Sequence, residues 1–412
     1  MPRLVLYDDA TARGFEPFAC TRPISELAAA TRLIRERWQL TIQPNEGIAF
    51  AAGDRHADFD EDGSAAAEGV LPRGTVIANA RCIPPIPTDI LRAGARSAAC
   101  TMWRCDGRLA AVRLREPLDV ADLEDGSKTL DELFAGTGAI GELKGWWVDE
   151  VWDFIRHLEA QLKADIAAFG GQPSARYSAA PAHATVIGDS PVFVDGATIE
   201  PHVILDTTNG PILIERGAHI HGFTRINGPA YIGRDVNVLG GDISGCAIGP
   251  VCKVRGEMSS TIMLGYSNKG HDGFIGHSYL GRWVNIGAGT ITSNLKNTYG
   301  TVALWTPTGV RDSGMQFLGT MFGDHVKTGI GLRLTTGTVV GACANVYDKM
   351  PPKAVSPFSW GGGSPYSTYR IDKFLESAQR MMSRRHVELT DRARRHLTSV
   401  FAGRWTAETD DT

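Results

Sequence analysis

A six-residue beat runs through the second half of the chain and limits what it can fold into. Apolar residues fall at Phe193, Ile199 and Leu205, then at Ile214, Ile220, Ile226, Ile232 and Val238, and then at Ile248 and Val254. The register resumes at Phe274, Leu280, Ile286 and Thr292, and closes with Phe322, Thr328, Leu334, Val340 and Val346. Small or β-branched residues follow four positions on, as at Ala218, Thr224, Ala230, Val236, Ser278, Val284, Val326 and Ala344. Such a period matches neither an amphipathic helix nor an alternating strand. It matches a triangular coil of three short faces, about 18 residues per turn, whose inward side chains stack on those of the next coil. Stacking buries a core that no single repeat holds alone.

Composition agrees. Glycine is the one unusual count, 47 residues, concentrated between about 187 and 341, as a chain of short strands and tight corners requires. A length of 412 residues favours two or more domains. The net charge of -4 offers no footprint for nucleic acid. Seven cysteines (20, 82, 100, 105, 246, 252 and 343) form no CxxC pair and read as reduced, buried thiols. No apolar run reaches membrane length, and MPRLVLYDD reads as a first strand, not a signal peptide, so a cytoplasmic enzyme is expected.

Residues 1–110 read as a small α/β domain, with strands at LVLYDD, GIAFAAG, TVIANARCIPP and RLAAVRL and a helix over ISELAAATRLIRERWQL. Residues 111–180 form a connector whose helix, 146–169, places Trp147, Val151, Phe154, Ile155 and Leu158 on one packing face. The coil covers 181–348. A tail, 349–412, ends in a helix over about 370–402 whose charged residues form a solvated face. Two stretches, 255–273 and 295–318, break the six-residue register, and excursions from a rigid repeat are where sites are built.

Several residues carry chemistry on their own account. Lys253, Arg255 and Lys269 cluster around the first excursion and suit a sugar phosphate. His219 and His221 form an H-x-H pair of the kind used in zinc sites between subunits, as in hexapeptide carbonic anhydrases. With alternate residues pointing opposite ways, the pair is not expected to converge within one chain. GDRHAD, 53–58, holds an aspartate pair that suits Mg²⁺ or simply a surface loop.

The stretch NKGHDGFIGHSYLGRWVNIGAGTITSN, 268–294, closely resembles the acetyltransferase domain of the bifunctional N-acetylglucosamine-1-phosphate uridylyltransferase/glucosamine-1-phosphate N-acetyltransferase family. The resemblance implies a left-handed parallel β-helix, a hand that the general crossover rule does not supply. It also implies acetyl-CoA as co-substrate and a C3 homotrimer. It puts the catalytic histidine on His271, acceptor-binding asparagines on Asn285 and Asn294, and Phe274 where the family has a tyrosine. Glu257 matches a Glu-Met pair, but Ser259 replaces a lysine. The Gly287-Ala288-Gly289 corner and the string FGDHVKTGIGLRLTTGTVV would hold the CoA arm, through Ala288, Gly289, Gly329 and Ile330. Near the N-terminus, PFACTRPISELAAATRLIRERW resembles sugar-nucleotide pyrophosphorylases, and more closely a divergent bacterial branch of the same bifunctional family. On that resemblance Arg22 contacts the phosphates of UTP or dTTP, with Mg²⁺, although Ile24 stands in place of a lysine.

The expected function is acetyl-CoA-dependent N-acetyl transfer to an amino-sugar phosphate in nucleotide-sugar synthesis. Three rivals stay open: a fully bifunctional enzyme, a non-catalytic sugar-nucleotide-binding or assembly protein, and a zinc hydro-lyase. No nucleic acid or membrane partner is expected.

Overall fold

The computed structural model describes residues 3–87, 101–134, 138–170 and 176–406. Cys100 lies outside them, and the other six cysteines are free and buried. Two compact units are present. One comprises Met1–Phe15, Thr21–Val151 and Thr390–Gly403, the other Glu16–Cys20, Trp152–Leu389 and Arg404–Thr412. Among the described residues no helix is long and apolar enough to cross a membrane.

The first unit is built on a six-stranded mixed sheet. Its order is Ile140–Glu142, Met102–Cys105, Arg108–Arg113, Val76–Asn79, Leu4–Tyr7, Ile48–Ala51. Leu4–Tyr7 pairs in parallel with both neighbours and is wholly buried, which is why it reads as an unbroken apolar run. The sheet takes strands from beyond residue 110, so the α/β domain reaches Val151 and the expected boundary at 110 is corrected. The expected 17-residue helix shrinks to Ile34–Ile42. Ahead of it Ala28–Ala29 and Arg32–Leu33 form a hairpin, closed where buried Arg37 donates to the carbonyls of Ala29 and Pro84. Trp146–Trp147 is likewise a strand of this unit, not the start of a connector helix. The helix Asp391–Ala402 also belongs here. Arg395 grips Asp58 through two bonds, and buried His396 meets the Thr21 carbonyl at 2.7 Å.

The second unit is the expected parallel coil. Its clearest face is a nine-stranded parallel sheet running from Val192–Val194 through Ala230–Ile232 and Tyr279–Arg282 to Ala354–Val355. The inward residues form one continuous core from Val194 to Val355, including Ile214, Ile220, Ile226, Ile232, Val238, Ile248, Val254, Leu280, Ile286, Phe322, Leu334, Val340 and Val346. Coil pairing continues to Ser359–Gly361, so the solenoid passes its expected end at 348. Two helices, Leu158–Gly170 and Ile371–Ser383, accompany it, and the single tail helix expected over 370–402 is in fact two.

The register departs from the six-residue rule in two places. Val194 and Ile275 point inward where Phe193 and Phe274 were expected. Phe193 instead faces out against Gly170, where a Cβ would lie 2.0 Å from its ring. The cause at 275 is that the coil tightens. Val238, Ile243, Ile248, Val254, Met258 and Met263 are successive inward residues, some only four or five apart, so the stretch 255–273 never leaves the solenoid. Residues 295–318 do leave it, carrying the hairpin Ala303–Thr306 with Gly309–Asp312.

The tight corners need glycine. Gly241 has φ +104 and a Cβ there would sit 2.2 Å from the Gly256 carbonyl oxygen of the next coil. Gly241→Ala is therefore expected to destabilise the solenoid by more than about 1 kcal/mol. Chemical denaturation followed by circular dichroism checks this, and a midpoint equal to that of the natural protein would refute it.

Candidate active site on one corner of the coil

Because consecutive coils are in register, residues one or two past an inward position line up along a corner. His271, Ala288 and Ile330 stand on one such corner in successive coils. The Asp272 carbonyl accepts from the Gly289 N–H at 2.9 Å, and the Ala288 carbonyl from the Gly331 N–H at 2.8 Å. Close approach is possible because Gly287 lacks a side chain: a Cβ would lie 2.0 Å from the Gly329 oxygen. Gly287, Gly289, Gly329 and Gly331 all have their N–H groups engaged. Among the described residues those of Ala288 and Ile330 have no acceptor, so two adjacent donors stand open on this corner.

His271 is exposed, and its loop is held from below by Lys269. Lys269 occupies an inward position in register with Val254, its stem in the core. Its ammonium donates to the Arg255 and His271 carbonyls, both at 2.7 Å, and burial pushes its pKa down to about 8. Its charge is thus engaged inside the corner, which corrects the expectation of a phosphate contact: Lys269 positions His271. Arg255 remains at the surface, its Nε 3.1 Å from the Asp272 carboxylate.

On the face following this corner, Glu257 pairs with Phe274 and is exposed. A Cβ at Gly276 would lie within 3 Å of the Phe274 ring, the Asn294 amide nitrogen and the Ser259 hydroxyl, so these three groups crowd one spot. Asn294 donates to His277 Nδ1 at 2.9 Å, and His277 stacks on Phe317. Burial lowers the His277 pKa, favouring the neutral imidazole. Coil register, 17 residues on, places Asn294 beside His277, and the chain returning through the 295–318 excursion adds Phe317.

On the preceding face Lys253, Asn268, Asn285 and Lys327 form one outward ladder. The Asn268 side-chain amide donates to Asn285 Oδ1 at 2.9 Å. The helix Ile371–Ser383 runs past this ladder, seated by Phe374 against His325 and Phe358. A cleft of about 470 Å³ results, into which Lys253, Lys327, Arg380, Arg384 and Arg385 contribute positive charge. The arginines of this tail read from sequence as a solvated face, and the structure turns them toward a site. Lys327 has only the His325 carbonyl at 3.3 Å and the Met381 sulfur at 3.4 Å, and burial pushes its pKa down to about 8. Asn285 and Asn294 therefore lie on different faces of the same chain.

In the first unit Arg22 is fully buried and its guanidinium meets Glu61 at 3.0 Å, so its charge is engaged within the fold and not offered to a phosphate. Of the GDRHAD pair, Asp58 is taken up by Arg395 while Asp54 faces Glu124, and elsewhere Asp9 is taken up by Arg81 and Asn79. The Asp58 and Asp9 carboxylates are already satisfied by arginine, which does not fit a resident Mg²⁺ on either.

Residues 4–172 match the model of a family described as sugar nucleotidyl transferase. The chain is 32% identical over 91 residues to a bifunctional sugar-1-phosphate nucleotidylyltransferase/acetyltransferase of Sulfurisphaera tokodaii, covering 22% of this chain and 23% of that protein. It is 33% identical over 131 residues to the bifunctional protein GlmU of Rippkaea orientalis, covering 24% and 28%. With GlmU of Acaryochloris marina the identity is 30% over 183 residues, covering 37% and 36%. The chain thus matches only about a quarter to a third of the length of these relatives. Among solved structures, the N-acyltransferase AntD of Bacillus cereus, in complex with dTDP-4-amino-4,6-dideoxyglucose and coenzyme A, aligns at 16% identity and TM-score 0.21, covering 48% of this chain and 91% of that one. LpxA of Bacteroides fragilis, a UDP-N-acetylglucosamine acyltransferase, aligns at 15% and 0.19, covering 55% and 92%. At those scores the fold rests on the chain's own geometry.

Lys327 makes the cleft testable by pH. Its folded pKa of about 8 lies below the ordinary lysine value of 10.5, so between those values the unfolded chain binds more protons and stability rises with pH. Lys327→Met is expected to be more stable than the natural protein at pH 7 and to lack that rise. Urea midpoints at pH 7 and 9.5 measure it, and an identical pH dependence in both proteins would overturn the assignment.

Proposed function

We propose that the chain is a CoA-thioester-dependent N-acyltransferase acting on an amino-sugar phosphate, with acetyl-CoA and glucosamine-1-phosphate as the reference pair. The observation that carries the reading is the corner itself: a held histidine, His271, in register with the open N–H groups of Ala288 and Ile330 and beside a strongly basic cleft.

The chemistry follows from those groups. The acceptor amine attacks the thioester carbonyl and gives up a proton, for which histidine, with an ordinary pKa near ~6.5, is suited as general base. In this reading His271 takes that proton. The developing oxyanion finds the Ala288 N–H, and the Ile330 N–H serves the amide-bearing arm of CoA along Gly289 and Gly329. The thiolate of CoA leaves as the amide forms. Lys253, Lys327 and the arginines of the tail supply cations for phosphate groups. Asn285 and Asn294 both position the acceptor only if sites form between subunits, which agrees with the homotrimer that the family resemblance implies.

A second activity, sugar-1-phosphate nucleotidyl transfer with UTP or dTTP and Mg²⁺, is favoured by the family match over residues 4–172. Against it stand Ile24 in place of a lysine and the engaged guanidinium of Arg22. Release of pyrophosphate on adding a sugar phosphate and either nucleotide separates the two readings.

Thiol release from acetyl-CoA with glucosamine-1-phosphate is the primary test. His271→Ala is expected to lose about 10²-fold or more in turnover, the scale of a lost general base. Binding of CoA without turnover on several amino-sugar phosphates would redirect the search to another acceptor. Absence of both binding and turnover would refute the acyltransferase and favour a non-catalytic sugar-nucleotide-binding protein.

A further inference from the structure

Near the N-terminal end of the solenoid a second corner cluster has no part in the chemistry above. Glu200 follows inward Ile199 in one coil, and His219 and His221 flank inward Ile220 in the next, with Thr198 paired to His219 and Ile199 to Ile220. Residues two apart project to the same side of a strand, so both imidazoles face outward and converge within one chain. That corrects the expectation that a second chain is needed. The rings stack with centroids 4.0 Å apart. His219 Nε2 lies 2.7 Å and His221 Nδ1 3.2 Å from the same oxygen, Glu200 Oε1.

We infer that Glu200, His219 and His221 form a binding site for a single divalent transition-metal ion of the zinc class. Two imidazoles and a carboxylate are the donors such an ion takes, and their three ligand atoms lie within 4.8 Å of one another. Ligand atoms around a tetrahedral ion with bonds of about 2.0–2.1 Å stand about 3.3 Å apart. The His221–Glu200 separation already matches, and the His219–Glu200 contact opens by about half an ångström to admit the ion.

The outer partners are in place as well. The second oxygen of Glu200 accepts the Gly222 N–H at 2.8 Å, and the far nitrogen of His221 faces Asn237 Oδ1 at 3.4 Å. Those contacts hold the carboxylate and fix the His221 tautomer with its lone pair toward the ion, the usual support of a metal ligand. All three ligands are only half-buried, which leaves a fourth position open to water or a ligand atom. The cluster lies three coils from His271, about 14 Å at the usual ~4.8 Å per strand, so the two sites are separate.

Tag-free full-length protein, stripped with a chelator, is titrated with Zn²⁺ by calorimetry and with Co²⁺ by visible absorption at pH 7.5. One ion per chain is expected, with binding weakened at least about 10-fold by His219→Ala, by His221→Ala and by Glu200→Gln, and unchanged by His271→Ala. A Zn²⁺-dependent rise in Tm of the natural protein gives a readout that needs no variant. Failure of the natural protein to bind, binding unaltered in the variants, or loss of binding in His271→Ala would each overturn the site.

Discussion

The stacking of inward side chains from coil to coil is the constraint on which the rest of the second unit depends. From Val194 to Val355 the inward residues form one buried core, and each apolar residue lies in register with its equivalent in the neighbouring coil. Because that register is parallel, whatever follows an inward residue also lines up. Corners become columns, and a column can present groups drawn from residues tens of positions apart. His271, Ala288 and Ile330 share one column for this reason, and Glu200 and His221 share another.

Polar groups inside such a core are costly unless bonded, so those that are present carry information. Lys269 stands where the stack has valine or isoleucine, and its ammonium ties two carbonyls under the His271 loop. Lys327 is less well satisfied, facing one carbonyl and a methionine sulfur beside three arginines of the tail. Unlike Lys269, Lys327 lies on the outward ladder and lines the basic cleft. The first unit contrasts with this. Its conspicuous charges, Arg22, Asp9 and Asp58, are each neutralised by a partner within the unit, and serve packing more plainly than ligand capture.

Much of this was legible in the residues. The six-residue period named most inward positions, though not Ile243, Met258 or Met263, because burial in a repeating coil is a one-dimensional property that spacing alone records. It failed at Phe193 and Phe274, where Val194 and Ile275 are the core residues. The second failure follows from steps of four and five at glycine corners, which a fixed period cannot register. The helix expected over ISELAAATRLIRERWQL kept only its second half, from Ile34, while its first half became a 3-10 turn and a short hairpin tied to the helix by Arg37 on the Ala29 carbonyl. Resemblance to a known family marked His271 and the glycine corners, and these did fall together on one edge.

What the sequence determined by itself, then, was the repeat, its core and the residue types available at its corners. Tertiary structure decided which of those residues meet. Only coil-to-coil register brings Glu200 to His219 and His221, only the returning excursion brings Phe317 to His277, and only the docked tail turns Arg380, Arg384 and Arg385 toward Lys327. The physical reason is that inward burial depends on each residue's own polarity and phase in the repeat. Meeting across coils depends on the accumulated lengths of all the turns between, which a single deleted residue at a glycine corner is enough to change.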